Sequence, residues 1–421
     1  MARAATLALL LLGGVLTSQS LRPRPAANAR LRWHLRLRHT HALPPRHVCG
    51  ASRDAVEGVA ARILADDAEV PPEHQRGILS MLEKSAIVQN EPGSDATIRV
   101  EKLSAGFCNW VYRCDVEGGA TRLARAGAGG RSSFVVKLFS KLAKLRVNPL
   151  HSAAVDEVAS HLGIAADLFY KSDDGLCHEM LPGLTLTEDD IHGGDGALAL
   201  RVAEPLAKLH SAAIPEAFRR DASYAGHSIL VLTMRKMLRH VDAMAHQGRA
   251  LPKGIVLDDL EKAVDHAEAC LEGLGLPLVL GHGDLKPSNI VADGAGAIKF
   301  IDFELAGPNY RGFDLFKLFR TSRAEGFDPK LLRAFLGEYL LAGGGGAAAA
   351  VAQEEKDALV TEVLMFEPVT WLEAGLFFVF ANTETRDARW EDLARHRWDN
   401  YRRTRHVLEE KCDALRKHKK R

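Results

Sequence analysis

The pattern of hydrophobic and polar positions divides the chain into a strand-rich part and a longer helical part. Between Ile98 and about residue 185, short apolar runs such as "FVVKLF" predict strands, with one helical segment, "LHSAAVDEVASHLGI", among them. Beyond residue 185, apolar residues recur every three or four positions, and only "LPLVLGHG" and "AIKFIDFE" interrupt the helices. We therefore predict an α+β fold with two lobes, a small β-rich N-lobe (98–185) and a larger, mostly helical C-lobe (186–421).

A helical extension is predicted before the N-lobe, over residues 54–97. Acidic and apolar positions alternate with helical spacing in "DAVEGVAARILADDAEV" and again in "PPEHQRGILSMLEKSAI". The pair Pro71–Pro72 separates the two segments, and proline is favoured at the first position of a helix. We expect two helices in this region.

The distribution of charge indicates a targeting leader over residues 1–53. An apolar run of about a dozen residues, too short for a membrane span, is followed by an arginine-rich segment. Residues 1–53 contain nine arginines and no acidic residue. Without these arginines, the net charge of the chain changes from +1 to −8. This balance does not favour nucleic-acid binding. The leader resembles the two-part address of plastid proteins, whereas a mitochondrial presequence, a secretory signal, a membrane anchor and a cytoplasmic chain remain alternatives.

The six cysteines indicate neither a zinc site nor a disulfide framework. They are widely spaced and include no C-x-x-C pair. We expect reduced thiols, with Cys108 and Cys114 packing as small apolar residues. The sequence predicts no stable membrane span in the mature chain and is compatible with oligomerisation.

An ordered set of polar residues predicts phosphoryl transfer. His282, Asp284 and Asn289 form H-x-D-x-x-x-x-N after the strand "PLVLG", and Asp302 follows 13 residues later at the end of "IKFI". Transfer from ATP requires a carboxylate that receives the hydroxyl proton and oxygen ligands that hold Mg²⁺ against the phosphates. We assign Asp284 as the base and Asn289 and Asp302 as metal ligands, and we expect His282 to brace the loop.

A lysine inside an apolar strand predicts the phosphate contact. Lys137 lies in "VVKLFS", where an unpaired lysine would be misplaced. Such a lysine can hold the α- and β-phosphates while it pairs with a helical glutamate. Glu157, twenty residues later, is the candidate partner, and Asp156 competes with it.

The loop expected to cover the phosphates is a weaker match. Aligning G-x-G-x-x-G-x-V with "SAGFCNWV" retains Gly106 and Val111 and places Ser104 and Asn109 at the outer glycine positions. Backbone and hydroxyl donors of this loop could still cover phosphates.

Taken together, these segments resemble the choline/ethanolamine kinase family, a protein-kinase-like group close to aminoglycoside phosphotransferases. The resemblance extends from about Ile98 to about Tyr401. "LSAGFCNWVYRC" resembles the family's phosphate loop, and "EMLPGLTLTEDDI" resembles its crossover between lobes. The most specific segment is "IDFELAGPNYRGFD", with four residues at the family's spacing: Asp302, Glu304, Asn309 and Asp314. The resemblance implies ATP, Mg²⁺ and a small amino-alcohol acceptor, whose phosphomonoester is the first product in phosphatidylethanolamine and phosphatidylcholine synthesis.

The same resemblance argues against a protein kinase. The glycine of D-F-G is replaced by Glu304, and no A-P-E follows Asp302, so the peptide-docking segment is missing. "DLKPSN" then reflects shared phosphoryl-transfer machinery rather than a shared substrate.

Departures from the family concern the acceptor. The family's acidic residue falls at Thr321, near the added charges of Lys317 and Arg320, and its two cage tryptophans fall at Glu373 and Leu376. Aromatic faces recognise a quaternary ammonium, so their loss favours ethanolamine over choline. Carboxylates can hold a primary amine, and the candidates are Glu304, Asp314 and Glu373. Another small-hydroxyl kinase of the aminoglycoside type and a pseudokinase binding module remain alternatives.

Overall fold

A computed structural model describes residues 62–65, 70–88, 97–104, 108–117, 131–344 and 352–419 of the chain. All of them belong to one compact unit, residues 60–421. The leader predicted over residues 1–53 lies outside the described residues, as do Cys49, Gly106 and most of the stretch "GGGGAAAA".

The N-lobe is built on a six-stranded sheet with the order β1-β2-β3-β4-β6-β5. Its first two strands pair in parallel, and the other neighbours are antiparallel. The strands are β1 (Arg62–Ala65), β2 (Thr97–Ser104), β3 (Asn109–Glu117), β4 (Arg131–Phe139), β5 (Leu168–Ser172) and β6 (Gly175–Glu179).

The prediction of a first helix in the extension is wrong for residues 62–65, which the structure describes as a strand. Arg62–Ala65 forms a strand because its backbone pairs with the edge of β2, and tertiary pairing overrides local helical periodicity. The second predicted helix is confirmed as α1 (Pro72–Lys84), with Pro72 at its first position.

Helix α1 packs on the N-lobe sheet. Ile78, Met81 and Leu82 are buried in the same apolar cluster as Tyr112 and Val136 of the central strands. Residues 70–88 therefore form part of the N-lobe core.

Two helices connect β4 to β5, where the sequence predicted one. They are α2 (Lys141–Arg146) and α3 (Pro149–His161). The break occurs because a residue before proline avoids the helical region, so Asn148 is extended and caps α3 through its side chain.

The C-lobe is mainly helical, as predicted, and most of its helices surround one large apolar core. The described helices are α4 (Glu188–His192), α5 (Ala197–Arg201), α6 (Ala203–Ser211), α7 (Glu216–Arg220), α8 (Ile229–His246), α9 (Leu257–Glu272), α10 (Arg311–Phe319), α11 (Pro329–Gly343), α12 (Gln353–Thr385) and α13 (Ala388–Lys419). Trp390, Trp398 and Tyr401 of α13 are buried, which confirms their predicted packing role.

Among the described helices, α12 alone is long and apolar enough to cross a membrane. Within the protein, 89% of its most apolar segment is buried. Its apolar composition is therefore accounted for by a position at the centre of the C-lobe core.

Short strands carry the segments predicted to be catalytic. They are β7 (Leu184–Thr185), β8 (Leu278–Gly281), β9 (Ile290–Ala292), β10 (Ile298–Phe300) and β11 (Gly307–Tyr310). The predicted hairpin is confirmed, since β9 and β10 pair antiparallel, and β8 pairs with β11. The loop 282–289 thus lies between β8 and β9, and Asp302 comes two residues after β10.

The five cysteines within the described residues are all free and buried. This agrees with the expectation of reduced thiols. Burial raises the pKa of Cys108 and of Cys114, so both remain protonated.

Replacing Ile78 tests whether α1 belongs to the N-lobe core. We expect Ile78→Ala to lower the free energy of unfolding by about 2–5 kcal/mol, because the side chain is completely buried. The matched variant Arg76→Ala, on the exposed face of the same helix, should change it by less than about 0.5 kcal/mol. Urea denaturation measures both, and equal effects would contradict the packing of α1 on the sheet.

Candidate active site

The catalytic loop turns sharply at Gly283. This residue has φ of +78°, and a Cβ placed on it would lie 2.0 Å from the carbonyl oxygen of Leu305. Only glycine fits, because other residues disfavour this φ and the backbone oxygen cannot yield. The turn delivers Asp284 to the cleft.

The side chain of Asp314 fixes this turn through hydrogen bonds with its backbone. Its carboxylate accepts hydrogen bonds from the backbone N–H groups of His282 (2.6 Å) and Gly283 (2.8 Å). His210 Nε2 lies 3.2 Å from the same carboxylate, and Tyr339 holds His210 Nδ1 at 2.8 Å. Burial would raise the pKa of Asp314, but these partners lower it. The prediction that Asp314 contacts the acceptor is wrong, since the side chain is fully buried beneath the loop.

His282 braces the loop, as predicted. Burial lowers the pKa of its ring, so the neutral form donates from Nε2 to the carbonyl of Ile301 at 3.1 Å. Its Nδ1 accepts from the backbone N–H of Asp284 at 3.3 Å, and the ring lies 4.7 Å from that of Phe303. His282 thereby ties the catalytic loop to the segment that carries Asp302.

Two lysines surround the carboxylate of Asp284. Lys317 Nζ lies 2.8 Å from Oδ1, Lys286 Nζ lies 3.1 Å from Oδ2, and Asn289 Nδ2 donates to Oδ2 at 3.2 Å. Burial raises the pKa of Asp284, but Lys286 and then Lys317 outweigh it and hold the pKa well below its usual range. Asp284 is therefore ionised throughout the physiological pH range.

Lys137 pairs with Asp302 and not with Glu157. Its ammonium forms an ion pair with Asp302 and lies 3.7 Å from Glu304. Burial lowers the pKa of Lys137, but Asp302 and Glu304 raise it overall, and Asp156 adds to this effect. The predicted Lys137–Glu157 pair is wrong, because Glu157 is half-exposed and binds Lys171 at 2.7 Å. Of the two candidates on α3, Asp156 is the one whose charge reaches Lys137.

Asp302 adopts a left-handed backbone conformation, with φ of 67° and ψ of 59°. Such a conformation costs a non-glycine residue about 1–3 kcal/mol. Burial raises the pKa of Asp302, but Lys137 lowers it, so the carboxylate stays charged. The strained turn and the ion pair fix Asp302 opposite the catalytic loop.

The phosphate-covering loop is described only in part. Ser104 ends β2, and its side chain and Gly106 lie outside the described residues. The side chain of Asn109 donates to Glu304 and accepts from the backbone N–H of Ser140 at 3.2 Å. Asn109 thus connects the N-lobe to the D-F-E segment, and its role in covering phosphates remains a prediction.

Glu373 and Glu304 already have cationic partners. Glu373 is buried between Arg146, which donates to it, and Lys317 at 3.2 Å. Burial raises the pKa of Glu373, but Lys317 and Arg146 lower it. Arg146 also lies 3.9 Å from Glu304, next to Lys137. Cations of the protein therefore already lie beside both carboxylates that were predicted to hold an amine.

Arg146 was missed by the sequence reasoning. Nothing in "KLAKLRV" distinguishes it, because its partner Glu373 is 227 positions away. Lys317 carried a signal, since a charged residue inside the apolar helix "FDLFKLF" is out of place unless it is paired.

The residues present suit a magnesium ion. The amide nitrogen of Asn289 donates to the carbonyl oxygen of Asp284 at 2.9 Å and to its carboxylate, which leaves Oδ1 of Asn289 for a metal. The carboxylate of Asp302 is one-third exposed, at 34%. Mg²⁺ takes hard oxygen ligands and typically uses one or two protein groups together with phosphates and water. Asn289 and Asp302 would supply those two groups.

Comparison with known proteins identifies the family. The profile of the choline/ethanolamine kinase family matches residues 100–401. This chain belongs to the choline/ethanolamine kinase family. Among curated members, it is 25% identical to ethanolamine kinase 2 of Rattus norvegicus over 225 residues, which are 52% of this chain and 52% of that protein. The chain thus matches about half the length of this curated relative.

Solved structures of family members share the fold. Ethanolamine kinase of Plasmodium vivax has a TM-score of 0.58 at 17% identity, over 72% of this chain and 82% of that chain. Choline kinase of Cryptosporidium parvum has a TM-score of 0.56 at 17% identity, over 76% and 91%. The predicted two-lobed, protein-kinase-like α+β fold is confirmed.

Removing Lys317 tests the electrostatics of Asp284. We expect no titration of the Asp284 carboxyl between pH 4 and pH 8 in the unchanged protein, because its pKa lies below this window. In Lys317→Met, the loss of a neighbouring cation should raise that pKa by about one unit or more. Carboxyl ¹³C NMR measures this shift.

The exposed Lys330→Met serves as the matched control and should leave the Asp284 signal unchanged. An unaltered pKa in Lys317→Met would contradict the assigned ion pair.

Proposed function

We propose that this chain transfers the γ-phosphoryl group of ATP to the hydroxyl of a small amino alcohol, and that it takes ethanolamine in preference to choline. The observation that carries the first part is the convergence of Asp284, Asn289, Lys137 and Asp302 on one cleft. Family membership supports the same reaction. The product would be a phosphomonoester that serves phosphatidylethanolamine or phosphatidylcholine synthesis.

The residues of the cleft divide the reaction between them. Asp284 accepts the hydrogen bond of the acceptor hydroxyl, orients its oxygen towards the γ-phosphorus and receives the proton as the new O–P bond forms. A carboxylate with a depressed pKa is a weak base, so orientation is its main contribution. Lys137 contacts the phosphates of ATP, and Lys286, beside Asp284, adds positive charge near the transferred group.

Asn289 and Asp302 would hold Mg²⁺, which when bound neutralises the charge of the phosphates. The chain itself fixes both ligands: the main chain of Asp284 fixes Asn289, and Lys137 fixes Asp302.

The preference against choline rests on the aromatic rings near the site, whose faces are already in contact with arginine side chains of the protein. Arg320 and Arg397 lie 4.9 Å and 5.2 Å from the ring centre of Trp371. Arg146 lies 4.4 Å from that of Phe377. A trimethylammonium group is bound chiefly by such faces, so an acceptor that depends on them is disfavoured.

A panel of amino alcohols tests this proposal. With Mg²⁺ and ATP, the full chain should release ADP in the presence of ethanolamine, with a larger kcat/KM than for choline. Coupled measurement of ADP release gives both values. Absence of turnover with every amino alcohol, together with turnover of an aminoglycoside, would replace the proposal with the aminoglycoside-type alternative.

The Asp284→Ala variant tests the assigned base. We expect kcat to fall by about 10²–10⁴-fold, because the group that orients the hydroxyl and takes its proton is gone. Stabilisation by Mg²⁺–ATP in a thermal-shift assay should remain, since Lys137 and Asp302 are intact. The exposed Asp173→Ala is the matched control and should retain activity.

Failure of Mg²⁺–ATP to stabilise even the unchanged chain would favour the pseudokinase alternative. Full activity of Asp284→Ala would contradict its assignment as the base.

A further inference from the structure

Arg146, the last residue of α2, lies between the two sides of the cleft. Its side chain is 6% exposed. Its Nη2 donates a hydrogen bond to Glu373, and its Nη1 lies 3.9 Å from Oε1 of Glu304. The guanidinium also lies over the ring of Phe377, 4.4 Å from the ring centre. Two carboxylates and an aromatic ring therefore fix this guanidinium in place.

Most of the donors of this guanidinium have no partner in the part of the chain that the structure describes. An arginine carries five N–H donors, and among the described residues Arg146 makes a single hydrogen bond, to Glu373. Its Nε is buried and has no partner among them, and the 3.9 Å to Glu304 exceeds hydrogen-bond distance. Buried donors in folded proteins are almost always paired. The guanidinium of Arg146 therefore retains donors for a ligand.

On the nucleotide side, Arg146 is next to the residues proposed to hold the phosphates. Glu304 lies 3.7 Å from Nζ of Lys137, the proposed phosphate contact. Asn109, which follows the phosphate-covering loop, donates a hydrogen bond to the same Glu304. The charge of Arg146 also reaches the thiol of Cys108, the residue before Asn109. The charge of Arg146 therefore acts on the region proposed for the phosphates.

On the acceptor side, the same guanidinium is connected to the proposed base. Glu373, which accepts its hydrogen bond, lies 3.2 Å from Nζ of Lys317, and that ammonium lies 2.8 Å from Oδ1 of Asp284. Arg146 and Gly283, the residue before Asp284, line the same cavity, and the charge of Asp284 reaches Arg146. Arg146 therefore lies beside the path from the nucleotide to the acceptor.

The position of Arg146 suits the charge that develops in the transferred group. In phosphoryl transfer, negative charge spreads over three equatorial oxygens while the attacking and leaving oxygens lie roughly in line. Lys137 is placed on the leaving side and Asp284 on the attacking side. A planar guanidinium between them can donate two parallel hydrogen bonds to equatorial oxygens. Because its contacts already fix the group, little reorganisation is required when the charge appears.

We infer that Arg146 is a further catalytic residue, whose guanidinium donates hydrogen bonds to the equatorial oxygens of the phosphoryl group as it passes from ATP to the acceptor. The inference rests on the proposed kinase function. In this step, the acceptor hydroxyl oxygen bonds to the γ-phosphorus, the bond from that phosphorus to the bridging oxygen of ADP breaks, and the hydroxyl proton passes to Asp284. Arg146 exchanges no atom and keeps its charge throughout.

Arg146→Met tests the assigned contact. With Mg²⁺–ATP and ethanolamine, kcat of the full chain should fall by about 10²-fold or more, because loss of one donor to transition-state charge typically costs this much. Stabilisation by Mg²⁺–ADP in a thermal-shift assay should change little, since the residues proposed to bind the nucleotide are intact. Arg146→Lys keeps the charge without the planar fork and should recover part of the rate. Arg333→Met, an exposed arginine that pairs with Asp357, is the control and should retain activity.

A double variant separates contact with the phosphoryl group from the pairing with Glu373. Arg146→Met alone deprives the buried Glu373 of one of its cationic partners. In Glu373→Gln that carboxylate is already absent, while the amide oxygen can still accept a hydrogen bond from Lys317. Adding Arg146→Met to the Glu373→Gln background should lower kcat by a further factor of about 10². If Arg146 served only to neutralise Glu373, the added substitution would have little effect.

A transition-state analogue tests the same contact without turnover. Aluminium fluoride, together with Mg²⁺–ADP and ethanolamine, mimics the transferred phosphoryl group. It should raise the Tm of the unchanged protein above the value with Mg²⁺–ADP alone. This additional shift should disappear in Arg146→Met and shrink in Arg146→Lys. Because the lysine variant keeps a cation beside Glu373, it decides the matter even if the methionine variant fails to fold.

The outcomes separate the inference from the proposed function. Equal kcat in the unchanged protein and in both Arg146 variants overturns the inference and leaves the kinase proposal standing. An effect of Arg146→Met that vanishes in the Glu373→Gln background does the same, since Arg146 then acts only through Glu373. An unaltered shift with aluminium fluoride in both variants overturns the assigned contact. Absence of turnover of every hydroxyl compound by the unchanged protein overturns the kinase proposal and, with it, the inference.

Discussion

The cleft depends on one constraint: a charge that is removed from water must have a partner. Asp314 is completely buried and satisfies this constraint with two backbone N–H groups of the catalytic loop and with His210. That arrangement fixes the turn at Gly283 and the position of Asp284. The same constraint links the lobes, because Arg146 of α2 is neutralised by Glu373 of α12. Catalytic geometry here is a consequence of buried charge pairing.

The pairing also separates the cleft into two electrostatic regions. On the nucleotide side, Lys137 faces two carboxylates, Asp302 and Glu304, an arrangement that suits a metal ion. On the side proposed for the acceptor, the guanidinium groups of Arg320 and Arg397 both lie over the ring of Trp371. The residues proposed for phosphoryl transfer match the family motif, whereas the region proposed for the acceptor departs from it.

Local patterns predicted the fold and the placement of the residues proposed for phosphoryl transfer, because both are encoded over short distances. The β9–β10 hairpin and the spacing from His282 to Asp302 place the motif without long-range information. Sequence reasoning failed where a partner is remote. Asp314 was assigned to the acceptor because its true partners are backbone N–H groups 31 and 32 positions away, and the side chains at those positions do not reveal such bonds. Glu157 was preferred over Asp156 although only the structure shows which of the two adjacent positions faces the cleft.

Identification of the reaction product tests the central claim most directly. ³¹P NMR of the full chain incubated with ATP, Mg²⁺ and a panel of small hydroxyl compounds separates transfer to an acceptor from hydrolysis of ATP. The account predicts a new phosphomonoester resonance whose intensity grows with ADP and is absent without acceptor. Formation of inorganic phosphate alone, or no consumption of ATP, would contradict it.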